Sequence, residues 1–194
     1  LNYKDHAAEQ HKPLPEEPLL FIKPSTAVIG PDAPIEVPLW AGRIDHEAEL
    51  GIVIGKRASR VPMNRASEYI LGLIGFNDVT ARDLQNRESQ YTRCKGFDTF
   101  APIGPCIAVG LDGRDLQVRA YVNGALRQDS RTRELIFTIP ELVQFISTVM
   151  TLLPGDIIAT GTPSGIGPIK PGDQVTIHVE GVGALTNSVI ARGD

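Results

Sequence analysis

The chain has 194 residues and a net charge of −4, from 19 basic and 23 acidic side chains, with 42% apolar and 22% charged residues. That length and balance fit one folded domain over 1–194 with a core of its own. A diffuse binder of nucleic acid or anionic membrane would be basic, and no apolar run approaches the roughly 18 residues of a membrane helix, so neither partner is expected.

The chain starts at Leu1 rather than Met and runs straight into a helix-like segment, so it reads as a fragment or as a chain that has lost an N-terminal extension. Asn2 is placed to cap a helix from Tyr3 to about Gln10, with Asp5 in its first turn. Residues 13–18 are proline-rich and acidic, a mobile loop by composition. Short strands are expected at Leu19–Lys23 and Ala27–Ile29. Leu50–Ile54 is apolar on both faces and reads as a central strand. Asn64 is the expected cap of a helix through Tyr69, followed by the apolar run Ile70–Phe76, which stops at Asn77-Asp78. The Arg-rich stretch 79–96 reads as a loop or short helix. Cys94 and Cys106 match no metal-ribbon or redox spacing and no secretion signal is visible, so both are expected as reduced thiols of a cytoplasmic protein.

Leu116–Val122 alternates into Asn123-Gly124, a strong hairpin signal. Pro140 opens the clearest helix, with Leu142, Phe145, Ile146, Val149, Met150 and Leu153 at helical spacing and Pro154-Gly155 at its end. Asp156–Ala159 is a strand entering the glycine-rich loop 160–167, and Val175, Ile177 and Val179 alternate in the last long strand. The fold class is mainly β with a few helices (α+β).

Side chains alternate along a strand, so Glu47 and Glu49 share a face and His46 takes the other. Two acids beside a covered strand repel each other and are costly to desolvate, which a bound cation relieves; the alternative is a solvated strand end. Asp78, at the end of another apolar run, is the candidate third ligand. Oxygen ligands alone point to Mg²⁺ or Mn²⁺ rather than Zn²⁺. His6 and Glu9 share a helix face, as a base and its orienting carboxylate would, or as an ordinary surface pair. Lys23 and Lys95 are candidate cations for an enolate or oxyanion, with Gln85 as a further donor. Backbone N–H groups of 161–167 and the Thr162 hydroxyl suit a carboxylate. His178 is expected to face solvent and His11 to lie in a loop. The sequence contains neither Gly-x-Ser-x-Gly nor a dinucleotide-type Gly-x-Gly-x-x-Gly.

Six segments in order resemble the fumarylacetoacetate hydrolase superfamily. They are Asn-Tyr-Lys-Asp-His-Ala-Ala-Glu (2–9), Phe-Ile-Lys-Pro-Ser (21–25), Glu-Ala-Glu-Leu-Gly-Ile-Val-Ile-Gly (47–55), Asn-Asp-Val-Thr-Ala-Arg-Asp-Leu-Gln (77–85), Lys-Gly-Phe-Asp-Thr-Phe-Ala-Pro-Ile-Gly-Pro (95–105) and Thr-Gly-Thr-Pro-Ser-Gly-Ile-Gly-Pro (160–168). Within it the chain is most similar to acylpyruvases and hydroxyheptadienedioate isomerases. The resemblance implies a mixed β-sandwich roll and a single catalytic domain over 1–194, usually dimeric, that lacks the family's usual strand before Asn2 or a small N-terminal domain. It implies Mg²⁺ or Mn²⁺ on Glu47, Glu49 and Asp78, and a water-activating pair, His6 and Glu9, on a segment that closes over substrate. Lys95 and Gln85 are implied as catalytic groups, with Lys23 and Thr162 binding substrate. The implied reaction is hydrolysis of a C–C bond in an acylpyruvate-type 2-oxo acid through a metal-stabilised enolate. Isomerisation or decarboxylation of oxo-dioates from aromatic catabolism is the neighbouring possibility, and a non-catalytic binding module or a structural Ca²⁺ site is the rival from another class.

Overall fold

The computed structural model describes residues 1–193. Helix α1 (Lys4–Glu9) has Asp5 in its first turn, where a carboxylate meets the positive helix end. Asn2 does not cap it as the sequence suggests: no side chain caps this helix, and the Asn2 amide binds Thr160 and Phe137 instead. Residues 19–23 form no strand. Pro18 and Pro24 flank them and lack the N–H a ladder needs, and Leu19, Leu20 and Phe21 line a cavity.

Strands β1 (Val28–Ile29), β2 (Ile35–Val37), β3 (Ile44–His46) and β4 (Ala48–Ile54) follow. Every position of β4 is buried, as its unbroken apolar run requires. Met63–Tyr69 is a 3₁₀ helix entered from Pro62, whose ring fixes the backbone there, so Asn64 is not a cap. Then come β5 (Ile70–Asn77), β6 (Thr80–Ala81), α2 (Arg82–Arg87), α3 (Thr92–Lys95) and β7 (Ala101–Ala108). β8 (Gln117–Val122) and β9 (Ala125–Arg131) form the expected hairpin. Asn123 and Gly124, at φ 52° and 77°, supply the two left-handed positions its turn demands.

Helix α4 (Ile139–Val149) begins where the Glu141 carboxylate accepts hydrogen bonds from the Thr138 N–H and hydroxyl. It ends at Met150, short of Pro154-Gly155, because the chain turns out to pair Leu152 with Ala58. β10 (Ile157–Ala159), β11 (Gly167–Pro168), β12 (Gln174–Val179) and β13 (Gly183–Ala191) complete the chain, so the alternating strand 175–179 is not the last.

Two five-stranded sheets, β1-β7-β5-β4-β10 and β2-β13-β12-β8-β9, face one another, with a small sheet β11-β3-β6 beside them. β1–β7 and β2–β13 pair in parallel and the other pairs run antiparallel, giving a mixed roll. Between the large sheets lie Leu50, Ile52, Ile54 and Leu73 from one side and Val118, Ala120, Ile177 and Leu185 from the other. The fold is α+β, mainly β. No helix among the described residues is long and apolar enough to cross a membrane. Cys94 is buried, Cys106 is exposed, and both are free thiols.

Candidate active site

The β4–β5 ladder brings the acids together. Ala48 opposes Asn77, and one step further the Asp78 N–H donates to the Glu47 carbonyl at 2.9 Å. The Asn77 side chain accepts the Glu47 N–H at 3.0 Å, fixing the backbone between β3 and β4. Glu47 and Glu49 share a face, and one oxygen from each of Glu47, Glu49 and Asp78 lies within 4.8 Å of the others. All three residues are at most 5% exposed.

Cations surround two of the three. Lys95 Nζ donates to Glu47 at 2.8 Å and to Asp78 at 2.5 Å, and sits 5.2 Å from the Phe21 ring centroid. Lys23 Nζ donates to Asp78 at 2.6 Å and to the Val79 carbonyl at 3.2 Å. Arg82 reaches Glu47, Gln85 and, at 2.8 Å, Asp45. Burial works to raise the Glu47 carboxyl, but Lys95 and Arg82 overrule it and hold it well below the usual range. Burial works to lower Lys95, and Asp78 and Glu47 push it above its usual value. For Lys23 burial outweighs Asp78, and its ammonium is shifted down.

Glu49 differs. Among the described residues its one hydrogen bond is from the Gly161 N–H at 2.7 Å, and no cationic side chain pairs with it. Burial, then the charges of Asp78 and Glu47, push its carboxyl up to about 8. A buried acid without a counter-charge, converging with two more oxygens, is a donor set that a hard divalent cation satisfies. The residues fit a divalent cation.

Above them stands α1. His6, 6% exposed, has Nδ1 2.7 Å from Glu9 Oε2. A carboxylate on Nδ1 fixes the proton there and leaves Nε2 as the basic nitrogen. Nε2 is 3.1 Å from the Gln10 amide nitrogen, which donates to it. Glu9 Oε1 accepts the Gly165 N–H at 2.9 Å. His6, Gln10, Glu47, Glu49, Asp78 and Lys95 line one cavity of about 360 Å³. Its outer wall includes Leu20, Phe21, Tyr91, Phe137 and Leu142.

The expected site residues are thus gathered, with corrections of detail. Thr162 lines the cavity, but its hydroxyl donates to the Ala48 carbonyl at 2.9 Å and accepts from Gln128 at 2.8 Å, so it holds β4 rather than offering a free donor. Gln85 lines the cavity with its oxygen engaged by Arg82. The carboxylates met by loop 160–167 are the protein's own, Glu49 and Glu9. His46 is buried against Gln128 at 3.1 Å and stands outside the oxygen cluster. His178 is half-buried rather than solvent-facing, because its strand is flanked on both sides and it stands between Ala184 and Arg119.

Sequence reasoning missed Arg82, Asp45, Gln10 and Gln128. Asp45 is fully buried between Arg43 and Arg82. Its signal was the same alternation that joins Glu47 and Glu49, and Arg82 stands four positions after Asp78. Gln128 is buried, accepts the Ala48 N–H at 2.9 Å and donates to the Pro163 carbonyl at 2.8 Å. Nothing in its local sequence marks it.

Residues 1–190 match the fumarylacetoacetate (FAA) hydrolase C-terminal family. An uncharacterised protein of Pyrococcus abyssi is 52% identical over 197 residues, spanning 98% of this chain and 88% of its own. A crystal structure of 5-carboxymethyl-2-hydroxymuconate delta-isomerase from Mycobacterium smegmatis superposes with a TM-score of 0.94 at 52% identity, covering 100% of this chain and 77% of that one. Fumarylpyruvate hydrolase from Pseudomonas aeruginosa, in complex with Mn²⁺ and pyruvate, superposes with a TM-score of 0.92 at 33% identity, covering 98% and 86%.

Proposed function

The chain belongs to the fumarylacetoacetate hydrolase family, and from that premise we propose that residues 1–194 form the catalytic domain of a divalent-metal-dependent enzyme hydrolysing a C–C bond of acylpyruvate-type 2-oxo acids. One observation carries the reading: a water-activating pair and a three-carboxylate centre open onto one cavity. Glu47, Glu49 and Asp78 would hold the cation, Mg²⁺ or Mn²⁺, which supplies Lewis-acid stabilisation of charge developing on the 2-oxo acid.

The chain's own residues supply the rest. Glu9 holds the proton on His6 Nδ1, so Nε2 accepts the proton of an attacking water once the Gln10 amide moves aside. Lys95, kept charged by its neighbours, and the free amide N–H of Gln85 face the cavity where a distal carbonyl would develop negative charge. Lys23 and Lys95 pair with Asp78, and Lys95 and Arg82 hold the Glu47 carboxyl low against its burial, so Glu47 is ready to bind metal without losing a proton. Phe21, Tyr91 and Phe137 give the cavity apolar walls that exclude bulk water.

Isomerisation or decarboxylation of an oxo-dioate is the second reading, supported by the name of the M. smegmatis structure at 52% identity. It would use the same carboxylates without the water step. A panel of acylpyruvates, oxaloacetate and hydroxymuconate-type dioates, assayed with Mg²⁺, Mn²⁺ or chelator, separates the two. Metal-dependent release of pyruvate together with a carboxylic acid from an acylpyruvate supports hydrolysis; double-bond migration, or CO₂ release (with pyruvate as its partner product from oxaloacetate), supports the second reading. Turnover undiminished by chelator defeats both. Residence in the cytoplasm and assembly as a homodimer complete the proposal, and size-exclusion chromatography with light scattering tests the dimer.

A further inference from the structure

Helix α1 has six residues, too few to hold its own shape in water. The position of His6 must therefore come from what α1 is tied to. At its far end the tie is Glu9, whose Oε1 accepts the Gly165 N–H. At its start the tie is Asn2, 7% exposed and not part of the chemistry above.

The Asn2 amide makes three bonds to two separate segments. Nδ2 donates to the Thr160 carbonyl at 2.7 Å and to the Phe137 carbonyl at 3.1 Å. Oδ1 accepts the Phe137 N–H at 2.7 Å, while the Asn2 backbone carbonyl takes the Ile136 N–H at 2.9 Å. Thr160 is in turn stitched to β4: its N–H and hydroxyl both donate to the Leu50 carbonyl, at 3.0 and 2.9 Å. Leu50 follows Glu49, and the next loop N–H, Gly161, donates to Glu49 itself. The approach is close. A Cβ at Gly161, whose φ is +100°, would lie 2.8 Å from Asn2 Cβ.

We propose that Asn2 is the positioning residue for the His6 base, registering α1 against the strand that carries Glu49. The inference rests on the reading of His6 and Glu9 as the water-activating pair. Asn2 touches no reacting atom. It acts by fixing where the imidazole stands relative to the carboxylates, and a displacement of about 1 Å at such a group costs on the order of 10²-fold in rate.

Asn2→Asp tests this in the full chain. It keeps the acceptor for the Phe137 N–H and turns two donors into an anion facing two carbonyl oxygens. Mn²⁺ affinity by calorimetry should stay within about twofold of wild type, because Glu47, Glu49 and Asp78 are untouched. Deuterium exchange in the peptide spanning residues 4–12 should rise at least about tenfold. On a 2-oxo acid that the wild type turns over, kcat should fall about 10²-fold with KM nearly unchanged. Asn2→Ser, shorter and uncharged, should loosen α1 the same way and serves if the aspartate variant does not fold. Unchanged exchange in residues 4–12 overturns the proposal, as does a loosened α1 with full kcat. Loss of Mn²⁺ affinity overturns it too, by placing the effect at the carboxylates. If the wild type turns over no 2-oxo acid, the function reading falls separately, and exchange and Mn²⁺ binding still decide whether Asn2 holds α1.

Discussion

Glu49 offers the sharpest test of the carboxylate centre, because no cationic side chain among the described residues forms an ion pair with it. Its carboxyl lies at about 8 in the folded chain and near 4.5 when unfolded, and the chief cause is burial. A raised acid stabilises the fold fully below the unfolded value, and that contribution is lost as pH rises through the folded one. Between those limits the folded form holds a proton that the unfolded chain has released, so each pH unit costs about 1.4 kcal/mol of stability. From about pH 5.5 to about pH 7.5 the loss is about 3 kcal/mol, or roughly 6–12 °C in Tm for a chain of this size. Glu47 works in a different window. Its lowered carboxyl contributes stability that is present above 4.5 and lost as pH falls below it. His46, lowered by burial, contributes with the opposite sign, its share being lost as pH falls, and Glu49 is not among the groups that shift it, so wild type and variant share that contribution. The assay is thermal and urea unfolding of chelator-treated wild type and Glu49→Gln across this range. The wild-type curve should fall with pH relative to the variant, and saturating Mn²⁺ should remove the difference in slope. Parallel curves for the two chelated proteins would refute the argument that Glu49 is a buried acid without a counter-charge.

Three further outcomes are expected. Asp78→Ala should abolish Mn²⁺ binding in calorimetry together with turnover, and chelation should do the same to wild type reversibly on adding metal back. His6→Ala should cut hydrolysis by roughly 10²–10⁴-fold with Mn²⁺ affinity unchanged; undiminished turnover removes the imidazole from the chemistry. Arg82→Met leaves Asp45 with only the half-exposed Arg43 and strips one cation from Glu47, so urea unfolding should show a loss of about 3 kcal/mol.

What could be read from sequence followed local rules. The Asn123-Gly124 turn, the buried run after Glu49 and the helix behind Pro140 are short-range patterns, and each stands in the structure. Glu47 and Glu49 were legible because a strand alternates, and Asp78 because it closed an apolar run. Two failures have different causes, distant partners in one and neighbouring prolines in the other. Asn2 looks like a helix cap but binds Thr160, 158 residues away. Leu19–Lys23 looks like a strand, yet no ladder accepts it between two prolines. Arg82 and Gln128 meet their partners 37 and 80 residues away, and only the folded roll brings them together.

The stretch 13–22 belongs to no strand or helix, while Pro15, Pro18, Leu19, Leu20 and Phe21 shape one side of the reaction chamber. Substitutions along that stretch should therefore change which molecules the cavity admits, while Glu47, Glu49 and Asp78 stay where β4 and β5 hold them. Phe21 is the exception, because its ring also meets the Lys95 ammonium, so a library at the other four positions reshapes the cavity and leaves the charged centre alone.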